Sequence, residues 1–126
     1  MKRILILDDD QEFRCSLAKI FQKAGFQVNA AGDGNQAGEL LSKAHYHLIV
    51  LDLKMPGKSG FELLKEIKTN TPEAKVIIVT AFGDATDCRQ VMQAGAFAYL
   101  NKPVKREVIL EFAARALEHS ENFTKK

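Results

Sequence analysis

Residues 48–57 read Leu48-Ile49-Val50-Leu51-Asp52-Leu53-Lys54-Met55-Pro56-Gly57, four uninterrupted aliphatic residues running straight into an aspartate. An apolar run of this length without polar alternation suits a short strand covered on both faces. The chain opens the same way, with Ile4-Leu5-Ile6-Leu7 followed by Asp8, Asp9 and Asp10. Further runs lie at Val28 to Ala31, Val76 to Val79 and Ala98 to Leu100. Between the runs the apolar period becomes helical. Phe13, Leu17, Ile20, Phe21 and Ala24 share one face, as do Phe61, Leu64 and Ile67, and later Val108, Ile109, Phe112, Ala113 and Ala116. The second and fourth helices, about 35–44 and 85–94, carry weaker stripes. Strand and helix alternate throughout, which predicts an α/β fold: one doubly wound (βα)5 domain around a parallel five-stranded sheet.

Local signals agree. Ala24-Gly25-Phe26 and Ala94-Gly95-Ala96 place glycine just past a helix, where a left-handed C-terminal cap is favoured. Ser59 with Glu62 has capping-box spacing before the third helix, and Asp9 with Glu12 offers a similar arrangement before the first. Asp10 also reads as a cap. At 126 residues the chain suits one domain, with residues 1–119 forming it and 120–126 a polar tail that can begin a linker. A net charge of +2 gives no general reason to expect direct binding to nucleic acid or a membrane surface. The apolar start is too short for a signal peptide, and no stretch approaches a membrane span. Cys15 and Cys88 lack disulfide-framework or metal spacing, which suits a reducing compartment and makes the cytoplasm the expected location.

The residues that follow the strands carry the chemistry. They are Asp8 and Asp9 after the first, Asp52 after the third, Thr80 after the fourth, and Asn101 with Lys102 after the fifth. All fall on one sheet edge, where open α/β sheets bind ligands at the point of strand-order reversal. If the order is 2-1-3-4-5, that point brings Asp8 and Asp9 to Asp52. Two unit charges about 4 Å apart repel by roughly 4 kcal/mol at an effective dielectric near 20, so such a cluster calls for a cation. Oxygen ligands without His or Cys point to Mg2+, which usually shares its shell with phosphate oxygens. Three carboxylates, one Mg2+ and the Lys102 ammonium are together neutral, so an anion can enter. Asp52 can then attack phosphorus in line, with Lys102 and Thr80 holding phosphoryl oxygens.

Four fragments in order, ILILDDD, LIVLDLKMPG, VIIVTAF and AFAYLNKP, resemble the receiver domain of two-component response regulators over nearly the whole chain. The resemblance implies the flavodoxin-like strand order 2-1-3-4-5 and a phosphoacceptor role for Asp52, with a sensor histidine kinase or histidine phosphotransfer protein as donor. It implies that Asp9 binds Mg2+ directly, that Asp8 acts mainly through water, and that the Lys54 backbone carbonyl is a further metal ligand. It also implies a cis Lys102-Pro103 peptide. Thr80 and Tyr99 are the switch residues in such domains, altering the surface of the fourth helix, fifth strand and fifth helix, which meets a downstream effector domain or protein or pairs in a homodimer on phosphorylation. Lys54 and Phe82 fall at the positions that tune dephosphorylation. On this reading the chain is no enzyme but a signalling phosphoacceptor that catalyses its own phosphorylation and dephosphorylation.

Competing readings exist. A pseudo-receiver would keep the fold as an interaction module without phosphotransfer. A phosphatase of the haloacid-dehalogenase class would also use a nucleophilic aspartate and Mg2+, but it looks for a second aspartate where this chain has Lys54. Gly32-x-Gly34-x-x-Ala37 imitates a dinucleotide fingerprint, yet it follows the second apolar run and carries Asp33, which would repel a pyrophosphate. No cofactor site is assigned to it. His45 and His47 flank Tyr46 without an evident third ligand and read as surface or helix-end residues.

Overall fold

A computed structural model of the chain describes residues 2–81 and 85–125, and the side chains of these residues except 85, 86 and 119–125. The elements run β1 (Arg3–Leu7), α1 (Gln11–Lys23), β2 (Gln27–Ala31), α2 (Gly34–Lys43), β3 (Leu48–Leu51), α3 (Gly60–Asn70), β4 (Lys75–Thr80), α4 (Ala85–Gln93), β5 (Ala98–Asn101) and α5 (Arg106–Lys125). All strand pairs are parallel, and the sheet order is β2-β1-β3-β4-β5. This is the doubly wound, flavodoxin-like arrangement expected from the sequence.

The side-chain alternation of each strand divides the core in two. Ile4, Ile6, Val50, Ile77 and Val79 point to one face and bury Leu17 and Phe21 of α1 with Ile109, Ala113 and Ala116 of α5. Leu5, Leu7, Ile49, Leu51, Val76 and Ile78 point to the other and bury Ala37 of α2, Leu63, Leu64 and Ile67 of α3, and Val91 of α4. Each fully buried aliphatic or Phe side chain contributes on the order of 1.5–3 kcal/mol. The Phe21 ring also meets Phe26 edge to face, centroids 6.0 Å apart.

Cover on both faces holds for the inner strands but not for the edges. Along β2, Gln27, Asn29 and Ala30 are exposed, and in β5 only Ala98 is buried. An edge strand has a neighbour on one side only, so the flanking helices pack over the sheet centre. Tyr46 belongs to the core, its hydroxyl donating to Asn29 Oδ1 at 3.1 Å. His47 is structural: its Nδ1 accepts from the Arg3 N–H at 3.0 Å, and burial, followed by Lys2, lowers its pKa. Among the described residues no helix is long and apolar enough to cross a membrane.

The helix ends follow the polar signals with one correction. Asp10, not Asp9, caps α1, its carboxylate accepting from the N–H groups of Glu12 and Phe13 at 3.0 and 3.3 Å. Asp9 is thereby released from capping. Ser59 caps α3 through the Glu62 N–H, and its hydroxyl donates to the Glu62 carboxylate. Gly25 and Gly95 take positive φ, as their places after α1 and α4 require. At the C-terminus α5 continues through Lys125, so no break in the helix marks the boundary expected after residue 119.

Two helical glycines differ in what a side chain would meet. At Gly60, the first residue of α3, an added Cβ would lie 2.5 Å from Leu53 Cα and 2.6 Å from the Asp52 carbonyl oxygen, backbone atoms that cannot yield cheaply. At Gly38, in α2, nothing lies within 4 Å. In urea denaturation followed by circular dichroism, Gly60→Ala is expected to destabilise the fold by about 1–3 kcal/mol, whereas Gly38→Ala should stabilise it by roughly 0.5–1 kcal/mol through helix propensity. Equal effects of the two would contradict this packing.

Candidate phosphoacceptor site

The parallel ladders continue one residue beyond the strands and so set the site. The Asp8 N–H donates to the Ala31 carbonyl at 3.1 Å, and the Asp52 N–H donates to the Leu7 carbonyl at 2.9 Å. Asp8 and Asp52 therefore emerge side by side where strand order reverses between β1 and β3. Asp8 and Asp52 are buried, at 1% and 6% exposure, while Asp9 is exposed. One carboxylate oxygen from each of the three lies within 4.8 Å of the others.

Lys102 reaches this cluster from the end of β5. Its ammonium donates to Asp8 Oδ2 at 2.7 Å and to Asp52 Oδ2 at 3.2 Å. The remaining oxygens are held by backbone: Asp8 Oδ1 accepts from the Asp10 N–H at 2.9 Å, and Asp52 Oδ1 from the Lys54 N–H at 3.1 Å. Burial raises the Asp8 carboxyl above its ordinary pKa of 3.8 and the charge of Asp52 adds to this, against the opposing pull of the hydrogen bonds from Lys102 and Asp10. Burial alone would lower the Lys102 pKa, but its hydrogen bond to Asp8 and the charges of Asp8 and Asp52 outweigh that and leave it above 10.5.

Thr80 ends β4 at 0% exposure, and its hydroxyl makes no hydrogen bond among the described residues. A buried hydroxyl without a partner is costly, on the order of 1–3 kcal/mol. Its carbonyl accepts from the Lys102 N–H at 2.9 Å, tying the ends of β4 and β5 together. The Lys102-Pro103 peptide is cis. Tyr99 pairs with Ile78 in the sheet and packs, half-buried, against the apolar layer beneath α2, α3 and α4. Lys54 touches Asp52 through its backbone and keeps an exposed side chain. Phe82 lies outside the described residues. The two histidines flanking Tyr46 join no such cluster: among the described residues, the acidic trio is the grouping of potential metal-ligating side chains.

Two residues of the site were not singled out by the sequence reading. Phe13 looked like one more core residue of α1, yet the Lys102 ammonium sits 4.3 Å from its ring centroid, a cation–π contact. Arg14 has no periodic signature, and its Nη1 donates to the Asp8 carbonyl at 2.8 Å. The only signal for either was proximity to Asp8 and Asp9 in the first turn of a helix.

Comparison with known proteins agrees with the geometry. Residues 4–114 match the family model of the response regulator receiver domain. Sporulation initiation phosphotransferase F of Bacillus subtilis is 33% identical over 96% of this chain and 98% of its own length. The crystal structure of a CheY-like response regulator receiver domain protein from Methanospirillum hungatei superposes with a TM-score of 0.94 at 31% identity, covering 97% of this chain and 98% of that one. A response regulator protein from Burkholderia pseudomallei, solved with a phosphorylated aspartic acid and a calcium ion, superposes with a TM-score of 0.84 at 26% identity over 100% of this chain and 76% of that one. With sheet order, acidic edge and family match in agreement, this chain belongs to the response regulator receiver domains of two-component systems.

Proposed function

We propose that Asp52 accepts a phosphoryl group from a phosphohistidine, supplied by a sensor histidine kinase or a histidine phosphotransfer protein, and that the aspartyl phosphate switches the surface of α4, β5 and α5. The observation that carries this reading is the Lys102 ammonium shared between Asp8 and Asp52, with a buried Thr80 hydroxyl nearby that has no partner among the described residues. Asp52 is held at both oxygens before any donor arrives, Oδ1 by the Lys54 N–H and Oδ2 by Lys102. A carboxylate oxygen attacks phosphorus in line, the new P–O bond forms as the P–N bond to the imidazole breaks, and the imidazole departs. Lys102 follows the negative charge from the carboxylate to a phosphoryl oxygen, and the Thr80 hydroxyl donates to another. The solved relative with a phosphorylated aspartic acid supports this chemistry by analogy.

The donor set fits a hard cation. Asp8, Asp9 and Asp52 present only oxygens, and burial raises the Asp8 pKa even with the Lys102 ammonium bonded to it. These three and the Lys54 carbonyl would hold Mg2+, which when bound neutralises the carboxylates and the entering phosphoryl oxygens. Thr80 moving toward the phosphoryl group would vacate space into which the Tyr99 ring turns, passing the change to a downstream effector domain or protein or to a second copy of the chain. Lys54 and Phe82, at the two positions that tune dephosphorylation in such domains, would slow hydrolysis. The chain is thus a stoichiometric signalling element, not an enzyme turning over an external substrate. Its free cysteines, Cys15 among them exposed, suit the cytoplasm.

Intact mass after incubation with acetyl phosphate tests the acceptor. A single phosphoryl adduct is expected on wild type with Mg2+, and none with EDTA or in Asp52→Asn. An adduct that persists in Asp52→Asn would move the acceptor elsewhere, and no adduct on wild type with any small donor or phosphohistidine protein would favour a pseudo-receiver.

A pH dependence follows from Asp8. Because its pKa is raised on folding, the protonated form of Asp8 is favoured more in the folded chain than in the unfolded one. That contribution is complete below the ordinary value of 3.8 and is lost as pH climbs through the raised value. Mg2+ needs the ionised form, so protons compete with it. The rise in Tm produced by saturating Mg2+ is expected to be larger near pH 8 than near pH 5, and a rise independent of pH would exclude Asp8 from the metal site.

A further inference from the structure

The geometry points to Arg14 as a positioning residue for the acidic pair, its guanidinium fixing the peptide that joins Asp8 to Asp9; the inference rests on the metal reading proposed above. Arg14 Nη1 donates to the Asp8 carbonyl at 2.8 Å, while the Asp8 N–H donates to the Ala31 carbonyl at 3.1 Å. The peptides on both sides of Asp8 are therefore held. The Asp8 carbonyl shares a rigid plane with the Asp9 N–H and Cα, so its direction sets where Asp9 leaves the end of β1. Asp9 is the exposed member of the trio and no longer serves as a helix cap, so the orientation of this peptide governs the placement of its carboxylate.

Gly32 supplies the seat for the guanidinium. An added Cβ there would lie 2.6 Å from Arg14 Nη1 and 3.2 Å from Cζ, so the guanidinium occupies the space where any other residue would carry its side chain. The Gly32 N–H donates to Gln36 Oε1 at 3.1 Å, which anchors that seat to the first turns of α2. The other glycine of the motif, Gly34, is likewise filled by packing: an added Cβ would meet Lys58 Cβ at 2.9 Å. The Gly32-x-Gly34 pattern that imitates a dinucleotide site is thus read as close packing, and Gly32 couples the loop after β2 to the metal ligands.

Charge and geometry make opposite predictions for Arg14. A cation bonded to the peptide between two of the carboxylate residues opposes Mg2+ by repulsion, so if charge were its only effect, its removal would tighten Mg2+ binding. If it positions Asp9, its removal weakens binding, and groups orienting metal ligands typically change affinity by 10–100-fold. Lysine keeps the charge but not the planar fork.

The test is calorimetric titration of Mg2+ alone into the folded wild type, Arg14→Ala, Arg14→Lys, Gly32→Ala and the Arg14→Ala/Gly32→Ala double variant. Gly32→Ala displaces only the end of a flexible side chain, so it examines the same contact with the arginine charge retained. The expected result is Mg2+ binding weaker by about tenfold in each single variant, with the double variant no weaker than Arg14→Ala because both remove one interaction. Single variants that bind Mg2+ as tightly as wild type, or more tightly, would overturn the positioning role while leaving the metal site in place. A wild type that binds no Mg2+ would overturn the metal reading and this inference with it.

Discussion

Mutual repulsion among Asp8, Asp9 and Asp52 is the constraint on which the rest of this structure depends. Two of these carboxylates are buried, and all three offer oxygens within 4.8 Å of one another. Left to local preference, such charges would separate into water. They are held by the sheet: the ladder bonds from Asp8 to Ala31 and from Asp52 to Leu7 extend strands whose inner members are covered on both faces. Hydrophobic burial over the whole domain thus maintains a locally unfavourable charge cluster, and the site is a place where the fold stores electrostatic tension.

The counter-charge to the buried carboxylates is Lys102. It lies 94 residues from Asp8 in sequence, yet its ammonium touches both buried carboxylates. Three features aim it. The bond from its own N–H to the Thr80 carbonyl fixes its backbone, the Phe13 ring lies beneath its ammonium, and the side chain is largely shielded from water. Thr80 and Lys102 are joined through their backbones, so a shift of either strand end carries both polar groups relative to Asp52. The ends of β4 and β5, with half-buried Tyr99 in β5, are linked in this way to Asp52.

The inner strands were legible because burial on both faces leaves no room for polar alternation, and Leu48–Leu51 shows this without exception. The edge strands were less legible for the reverse reason: Gln27 and Asn29 in β2 face solvent, so the run from Val28 to Ala31 is broken by a polar residue that the inner strands lack. The cap of α1 was ambiguous because three consecutive aspartates can each accept helix N–H groups, and the choice of Asp10 follows from Asp8 and Asp9 being directed to the sheet edge. The polar residues after 119 suggested a boundary, yet α5 continues through Lys125, since polarity alone does not stop a helix that contains no proline or glycine.

By itself, the sequence determined which elements form and which polar residues end the strands, because hydrophobic period and terminal residues are local properties of the chain. The acidic pair, Asp52, Thr80 and Lys102 were all identifiable on that basis. Only the tertiary structure decided how they meet: Lys102 bonded to Asp8 more closely than to Asp52, the Thr80 hydroxyl buried without a partner among the described residues, Phe13 under the ammonium and Arg14 seated on Gly32. These are contacts between residues far apart in sequence or on different elements. Their distances depend on how five strands and five helices pack as solids, which no short window of sequence encodes.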